Sequence, residues 1–147
     1  MPTHELFPYL RVSDGDAAIR WYCAVFSATE RMRLTDPSDG RVGHAELELA
    51  PGVVLMLSAA YPELGIGAPN GPQGASLHLH VDDADAIFDK AVAAGATPLR
   101  PVRDQFYGER GGAFRDPFGH EWLVGHSIEE LSPAEMQRRW DEMARGG

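Results

Sequence analysis

An internal repeat constrains the fold of this chain more than any other sequence feature. A strand pattern runs from Leu6 to Val12 and is followed by a helix pattern, and the same succession recurs from Ser76 to Val81. In each copy an acidic residue, Asp16 or Asp85, falls in the first helical turn, where the helix dipole favours negative charge. A repeat of this size predicts two equivalent supersecondary units that bury their apolar faces in one core.

The two predicted helices resemble each other in how they begin and in which residues they bury. Ser13 and Asp82 stand where each helix starts, and we expect them to serve as N-caps. Apolar residues follow at helical spacing in matching positions: Ala18, Ile19, Tyr22 and Cys23 in the first helix, and Ile87, Phe88, Ala91 and Val92 in the second. Cys23 is therefore interpreted as a buried small hydrophobe rather than as a nucleophile.

Strand patterns follow each helix, so each copy is predicted to be a β-α-β-β-β unit. The first copy has them at 28–34, 42–49 and 53–58, and the second copy has them at 97–102, 112–115 and 121–125. We therefore predict an α+β fold in which two tandem βαβββ modules form a curved mixed β-sheet. The helices are expected on the outer face of that sheet.

The chain is short enough to form a single domain, residues 1–147. Module one is predicted at 5–58 and module two at 76–127. The segment 59–75 between them is rich in proline and glycine and is predicted to be a linker.

A C-terminal helix is predicted at 132–145, beyond the repeat. Ser132 is its expected N-cap, and Glu135 is expected to complete a capping box. Its apolar residues recur on one face: Met136, Trp140 and Met143. That face needs a partner surface on this chain or on a second copy, and we predict a symmetric homodimer with two equivalent pockets. The linker composition suits modules paired within one chain or exchanged between two, so this choice stays open.

Composition excludes several classes of function. The chain has 147 residues and a formal net charge of −9, which disfavours non-specific binding to nucleic acid or to anionic membranes. Its one cysteine cannot form a disulfide within the chain, and no apolar run approaches the roughly 20 residues of a membrane-spanning helix. The first residues lack the pattern of a secretory signal. A cytoplasmic protein is expected.

The side of the predicted sheet that carries no helix is unusually rich in functional side chains. Side chains alternate along strands, so the helix-covered face is expected to include Leu6, Leu10, Val12, Ala45, Leu47, Leu49, Val53, Leu55, Leu57, Leu77, Leu79, Val81, Trp122 and Val124. The opposite face collects Phe7, Tyr9, Arg11, His44, Glu46, Glu48, Met56, Ser58, Ser76, His78, Glu121 and Leu123. This mixture is typical of a ligand pocket. The alternative is a solvated sheet face, which is common in antiparallel sheets.

Four sequence motifs, through their order and spacing along the chain, resemble those of one protein superfamily. The segment 7–12 (FPYLRV) and the segment 116–122 (DPFGHEW) bracket the paired modules. Together they resemble the vicinal oxygen chelate superfamily, which includes the glyoxalase I, bleomycin-resistance and extradiol dioxygenase families. The segments 43–47 (GHAEL) and 104–110 (DQFYGER) are most similar to its PhnB-like branch. The resemblance covers roughly residues 5–126.

This resemblance implies that the usual metal site of the superfamily is missing. Metal-dependent members take four ligands from the first and last strands of each module. The matching positions here carry no imidazole or carboxylate: Phe7, Met56, Ser76 and Leu123. The pattern matches the bleomycin-resistance type, which binds antibiotics without chemistry in crevices made by a dimer. No cofactor is therefore expected, with a divalent metal as the minority alternative.

The residues predicted to bind a ligand are Phe7, Tyr9, Arg11, His44, Glu46, Met56, His78, Tyr107 and Leu123. Among them Glu46, His44 and His78 are candidates for acid–base catalysis. The alternative is that Glu46 or Glu48 forms an ordinary ion pair with Arg11 or Arg115. Tyr107 lies in the segment 104–112, which is interpreted either as a mobile flap over the pocket or as an ordinary hairpin loop.

Three functions are consistent with these features. The favoured one is a glyoxalase/bleomycin-resistance-like protein that binds a small organic molecule in a concave sheet pocket without the usual metal site. The alternative is an isomerase, lyase or dioxygenase that uses acid–base chemistry or a relocated metal site at His44, Glu46, His78 and Glu121. A third is a regulatory dimer without a ligand, which no sequence feature favours.

Overall fold

The computed structural model describes residues 1–146, which form two βαβββ modules and a C-terminal helix. Module one contains β1 (Tyr9–Val12), α1 (Gly15–Phe26), β2 (Thr29–Thr35), β3 (Val42–Ala50) and β4 (Val53–Ala59). Module two contains β5 (Leu77–His80), α2 (Ala84–Ala93), β6 (Thr97–Asp104), β7 (Glu109–Arg115) and β8 (Glu121–Ser127). The last helix, α3, is Pro133–Gly146. One short 3₁₀ turn, Pro62–Leu64, lies between the modules.

Each module builds its own four-stranded mixed sheet. The strand order is β1-β4-β3-β2 in module one and β5-β8-β7-β6 in module two. The first strand of each module pairs in parallel with the last, so that Tyr9 lies opposite Met56 and His78 lies opposite Leu123. The predicted α+β fold of two modules with a C-terminal helix is confirmed. Within residues 1–146 no helix is both long enough and apolar enough to cross a membrane.

The predicted N-caps were wrong by one residue in both modules. The capping residues are Asp14 and Asp83, which follow the predicted Ser13 and Asp82. Each carboxylate accepts a hydrogen bond from the backbone N–H three residues later, at 3.0 Å in α1 and 3.1 Å in α2. Residue preference alone cannot separate two adjacent capping types, because the choice depends on where the chain leaves the extended conformation.

One residue predicted on the helix-covered face lies outside the sheet, and a second is more exposed than expected. Leu6 is 92% exposed because β1 begins only after it. Val53 is exposed although it lies on the predicted face, where it borders a cleft with Phe26 and Ile87. The pairing of β3 with β4 is irregular between Glu48 and Ala50, but Val54 still lies opposite Glu48, so the alternation along β4 is as predicted.

One hydrophobic core joins the two modules. The sheets contribute buried residues from their helix-covered faces, among them Leu10, Val12, Ala45, Leu47, Leu55, Leu57, Trp122 and Val124. Helix α1 belongs to module one but reaches module two, where Phe26 packs on Trp122 with ring centroids 4.6 Å apart. Trp21, also on α1, donates a hydrogen bond of 2.8 Å to the carbonyl of Ala94. The modules are therefore held together by side chains of α1.

A buried carboxylate sits at the junction of the modules. Asp116 is 3% exposed and accepts hydrogen bonds from the Tyr22 hydroxyl and from the Trp122 indole, the latter at 2.9 Å. It also accepts from the backbone N–H groups of Phe118, at 2.9 Å, and His120, at 3.0 Å. Burial, together with the charge of Asp116, raises the pKa of Tyr22 well above its ordinary value. One carboxylate thus fixes both the turn after β7 and the position of α1.

The turn after β7, residues 116–120, also contacts the linker and β1. Gly119 has a φ of +97°, and a Cβ there would lie 2.9 Å from the Cβ of Pro69. The linker therefore packs closely on a turn that only glycine can complete. His120 donates a hydrogen bond of 2.9 Å from Nε2 to the carbonyl oxygen of Arg11. The turn thus sets the position of β1, the strand that carries Tyr9.

Helix α3 lies on the surface of module two. As predicted, the Ser132 hydroxyl accepts a hydrogen bond of 3.1 Å from the backbone of Glu135. The predicted capping box does not form, because the Glu135 carboxylate pairs with Arg138 and Arg139 in the following turn. Trp140 contacts Phe106 with centroids 5.8 Å apart but stays largely exposed, as does Met143. The apolar face of α3 is therefore only partly covered.

Replacing Asp116 by alanine tests the junction. The variant leaves the Tyr22 hydroxyl and the Trp122 indole without their buried acceptor, so we expect the free energy of unfolding to fall by about 3 kcal/mol. Urea denaturation followed by circular dichroism measures the change. Asp89→Ala removes an exposed carboxylate of α2 and serves as the control. Equal stability of the two variants would contradict the assigned role of Asp116.

Candidate functional site

The helix-free face of module one forms a cleft of about 540 Å³. Its lining residues come from the segment before β1, from β2, and from β3, β4 and the turn between them: Glu5, Leu6, Phe7, Arg31, Glu46, Gly52, Val54 and Met56. Three of the predicted ligand-binding residues, Phe7, Glu46 and Met56, are thus brought together. The cleft has the size of a site for a small organic molecule.

A hydrogen-bonded chain of three side chains runs beside this cleft. The Tyr9 hydroxyl lies 2.7 Å from Nδ1 of His44, and Nε2 of His44 lies 3.0 Å from the Glu46 carboxylate. A carboxylate accepts only, so Nε2 of His44 is the donor to Glu46; in the tautomer that carries its proton on Nε2, Nδ1 accepts from the Tyr9 hydroxyl. These two hydrogen bonds join three predicted ligand-binding residues and orient the Tyr9 hydroxyl.

The register of the sheet explains why these three residues meet. His44 and Glu46 are two positions apart on β3, so their side chains share the helix-free face. Met56 on β4 lies opposite both Tyr9 and Glu46. Tyr9 therefore approaches the histidine across β4, from the edge strand of the sheet.

Arg11 packs against Tyr9 and does not pair with Glu46. Its guanidinium carbon lies 4.4 Å from the centre of the Tyr9 ring, a cation–π geometry, and it donates a hydrogen bond to the buried Ser58 hydroxyl. The carboxylate expected as an ion-pair partner, Glu46, contacts His44. Arg115 pairs with Glu121 at 3.0 Å.

Tyr9 also borders two smaller clefts at the junction of the modules, of about 310 and 270 Å³. Gln73 from the linker and His120 from the turn after β7 line both. One of them continues to Ser76 and Leu77 in module two. Tyr9 thus stands between the module-one cleft and the junction.

The remaining predicted residues lie in module two. His78 and Leu123 are paired neighbours on β5 and β8, and His78 lies 3.7 Å from the Glu109 carboxylate. The proposed relocated set therefore falls into three places: His44 with Glu46, His78 with Glu109, and Glu121 with Arg115.

Tyr107 lies in the turn between β6 and β7, near α3. Its ring packs edge-on against Phe106, 5.1 Å away, and Phe106 contacts Trp140. The segment 104–112 is a hairpin connection, with β6 extending to Asp104 and β7 beginning at Glu109, earlier than predicted. This places Tyr107 at the end of module two that carries the last helix.

A second cluster in module two was missed by the sequence analysis. His78, His80 and Glu109 each place one metal-ligating type of atom within 4.8 Å of the others. The alternation of His78 and His80 on one strand was visible in the sequence. Glu109 was hidden because it fell in a segment interpreted as a loop.

Cys23 lies on α1 and is partly buried. Burial raises the pKa of its thiol, and the neighbouring Glu30 raises it further. A raised pKa keeps the thiol protonated, in keeping with its interpretation as a small apolar residue.

The four positions that the resemblance assigns to the superfamily's metal ligands lie on or near the parallel-paired strands of each module. Met56 and Leu123 lie on β4 and β8, whereas Phe7 lies two residues before β1 and Ser76 one residue before β5. These residues offer phenyl, thioether, hydroxyl and aliphatic groups, a donor set that does not fit a divalent ion of this class.

Fold and sequence together define the family. The chain belongs to the Glyoxalase/Bleomycin resistance protein/Dioxygenase superfamily, whose model matches residues 4–124.

Relatives of this chain come from several bacteria. It is 36% identical over 146 residues to the uncharacterized protein Mb0911c of Mycobacterium bovis, covering 96% of this chain and 95% of that protein. Protein PA1353 of Pseudomonas aeruginosa has a similar structure, with a TM-score of 0.72 and 25% identity over 86% of this chain and 100% of that one. A PhnB protein of Bacillus cereus shares the fold, with a TM-score of 0.66 and 17% identity over 84% of this chain and 100% of that one.

Proposed function

We propose that this protein binds a small organic molecule in the module-one cleft, without using a metal or other cofactor there. The observation that carries the proposal is the combination of apolar walls, Phe7 and Met56, with the oriented chain Tyr9–His44–Glu46. Apolar walls with a few fixed polar groups are what small-molecule sites require.

The lining favours a molecule that is partly aromatic and partly cationic. Phe7 offers aromatic surface in the cleft, and Glu5 and Glu46 place two carboxylates there. Tyr9 adds a second aromatic ring beside the cleft, joined to Glu46 through His44. The net charge of −9 favours the approach of cations further. Binding without a metal is supported by the four superfamily positions, which offer no suitable ligand.

Binding should depend on Tyr9. We expect Tyr9→Ala to weaken binding by about 1–3 kcal/mol through loss of aromatic packing, and Tyr9→Phe to retain most of that packing. Calorimetry measures both variants on a compound found by thermal-shift screening. Tyr107→Ala is a matched control, because Tyr107 is 38% exposed and Tyr9 is 41% exposed.

Two results would contradict this site. One is unchanged affinity in Tyr9→Ala; the other is a loss of affinity after EDTA treatment that added metal restores. The first would remove Tyr9 from the site, and the second would show that a metal takes part.

The chain Tyr9–His44–Glu46 also favours a second candidate function, acid–base catalysis on the bound molecule. A carboxylate that orients an imidazole, which in turn accepts from a hydroxyl, is an arrangement that moves protons in many enzymes. Here Tyr9 would pass its hydroxyl proton to His44 as the Tyr9 oxygen takes a proton from the ligand, and the reverse transfers would return a proton to the ligand and restore both side chains.

Proton exchange distinguishes the two functions. In deuterated water an acid–base enzyme exchanges or rearranges carbon-bound hydrogens of the screened compound, which NMR detects. We expect no exchange if the protein only binds. Exchange by the wild type that His44→Ala loses, while binding persists, would replace the binding function by the catalytic one.

We also propose that the protein acts as a symmetric homodimer. The exposed Trp140 and Met143 of α3 and the exposed Leu6 before β1 are apolar surfaces that a second copy would cover. A cytoplasmic location, expected from composition, stays a prediction.

Light scattering tests the dimer. We expect twice the 16.0 kDa mass of one chain at micromolar concentration. Trp140→Glu should shift the mass toward the monomer if α3 lies in the interface, since burying an unpaired charge there is costly. Gln137→Glu adds the same charge at an exposed position of α3 and is the control. A monomer mass for the wild type would contradict the proposal.

A further inference from the structure

We propose that His78, His80 and Glu109 form a binding site for a divalent transition-metal ion in module two. One ligand atom from each of the three residues lies within 4.8 Å of the others. Nε2 of His80 is 2.9 Å from Oε1 of Glu109, and Nε2 of His78 is 3.7 Å from the same oxygen. The site lies outside the module-one cleft, and it does not rest on the proposed function.

The sequence builds this cluster from three neighbouring strands. His78 and His80 are two positions apart on β5, so both imidazoles leave the same face of the sheet. Their rings are 4.9 Å apart and nearly perpendicular, at 83°, so they converge without stacking on each other. Glu109 comes from the start of β7, beyond β8.

A glycine lets the carboxylate reach the histidines. Gly125 on β8 lies opposite both His80 on β5 and Gly111 on β7. A Cβ at position 125 would lie 2.9 Å from Oε1 of Glu109, too close for the carboxylate to stay where it is. The absence of a side chain at this position therefore opens the path across β8 along which Glu109 meets the two imidazoles.

The spacing of the three ligand atoms is close to what an ion requires. Ligand atoms about 2.0–2.2 Å from a tetrahedral zinc ion lie about 3.3–3.6 Å from one another. The separations here, all within 4.8 Å, exceed that range by little more than 1 Å at most, a distance on the scale of side-chain rotation. The histidines are more exposed than Glu109, whose side chain is 23% exposed, so rotation is open to them.

Two imidazoles and one carboxylate suit Zn²⁺ and the neighbouring divalent ions Co²⁺ and Ni²⁺. Three protein ligands leave at least one coordination position for water or another small ligand. The site also differs from the superfamily's metal positions. It uses two residues of β5 and one of β7 within a single module, and neither Ser76 nor Leu123 takes part.

Zinc binding to the full-length chain tests the proposal. The protein is stripped with EDTA, dialysed and titrated with Zn²⁺ by calorimetry, and we expect one ion per chain with a dissociation constant of micromolar order or tighter. His80→Ala and Glu109→Gln should each weaken binding by about tenfold or more, since each removes one of three ligands. Co²⁺ gives a second readout, because a site with imidazole ligands produces visible absorption that the variants should lose.

Two controls separate this cluster from other histidines. His4→Ala removes an exposed histidine near the N-terminus, and His44→Ala removes the histidine of the module-one cleft. Both should bind Zn²⁺ as the wild type does, and circular dichroism verifies that all variants are folded.

Three results would overturn the site. They are affinity weaker than about 1 mM in the wild type, equal affinity in the wild type, His80→Ala and Glu109→Gln, or loss of affinity in His44→Ala alone. The first would leave His80 and Glu109 as a simple hydrogen-bonded pair, and the last would move the ion to module one. Because the ligand-binding test uses Tyr9 and a screened compound, its failure would leave this result untouched.

Discussion

The buried carboxylate of Asp116 is the interaction on which the arrangement of the modules depends. A carboxylate leaves water only if its lone pairs are satisfied, and here four donors supply them. Two donors belong to the turn that follows β7, one to the core indole of β8, and one to Tyr22 of α1. Because the same turn supports the linker and β1, the position of Tyr9 follows from this network. The junction and the candidate site are thus parts of one structure.

Much of the fold could be predicted because the sequence contains two copies of the same βαβββ unit. The order of elements, and the face on which His44 and Glu46 lie, follow from hydrophobic period and alternation. Details that depend on local backbone geometry could not be predicted in this way. Asp14 rather than Ser13 caps α1, and β1 begins only at Tyr9, which leaves Leu6 exposed. Neither of these features can be recognised from the types of the residues involved.

The candidate sites, like the fold, could be predicted only in part. The prediction placed His44, Glu46 and Tyr9 on one face, because alternation decides faces, but only the strand order could show that the three form a hydrogen-bonded chain. The group of His78 with His80 and Glu109 required more. It depends on a glycine in an intervening strand and on a strand that begins earlier than its pattern indicates. Each sheet thus carries its own polar cluster on the helix-free face.

The long span of the Asp116 contact has a consequence for how the chain folds. Tyr22 and Asp116 are separated by 94 positions, whereas the strands within each module pair over much shorter separations. Closing a long loop costs more conformational entropy than closing a short one, and contacts distant in sequence slow folding. We therefore expect each module to fold first through its own local contacts. The two modules then dock, and the hydrogen bond between Tyr22 and Asp116 forms at that stage. On this expectation, the clefts at the junction acquire their geometry in the last step of folding.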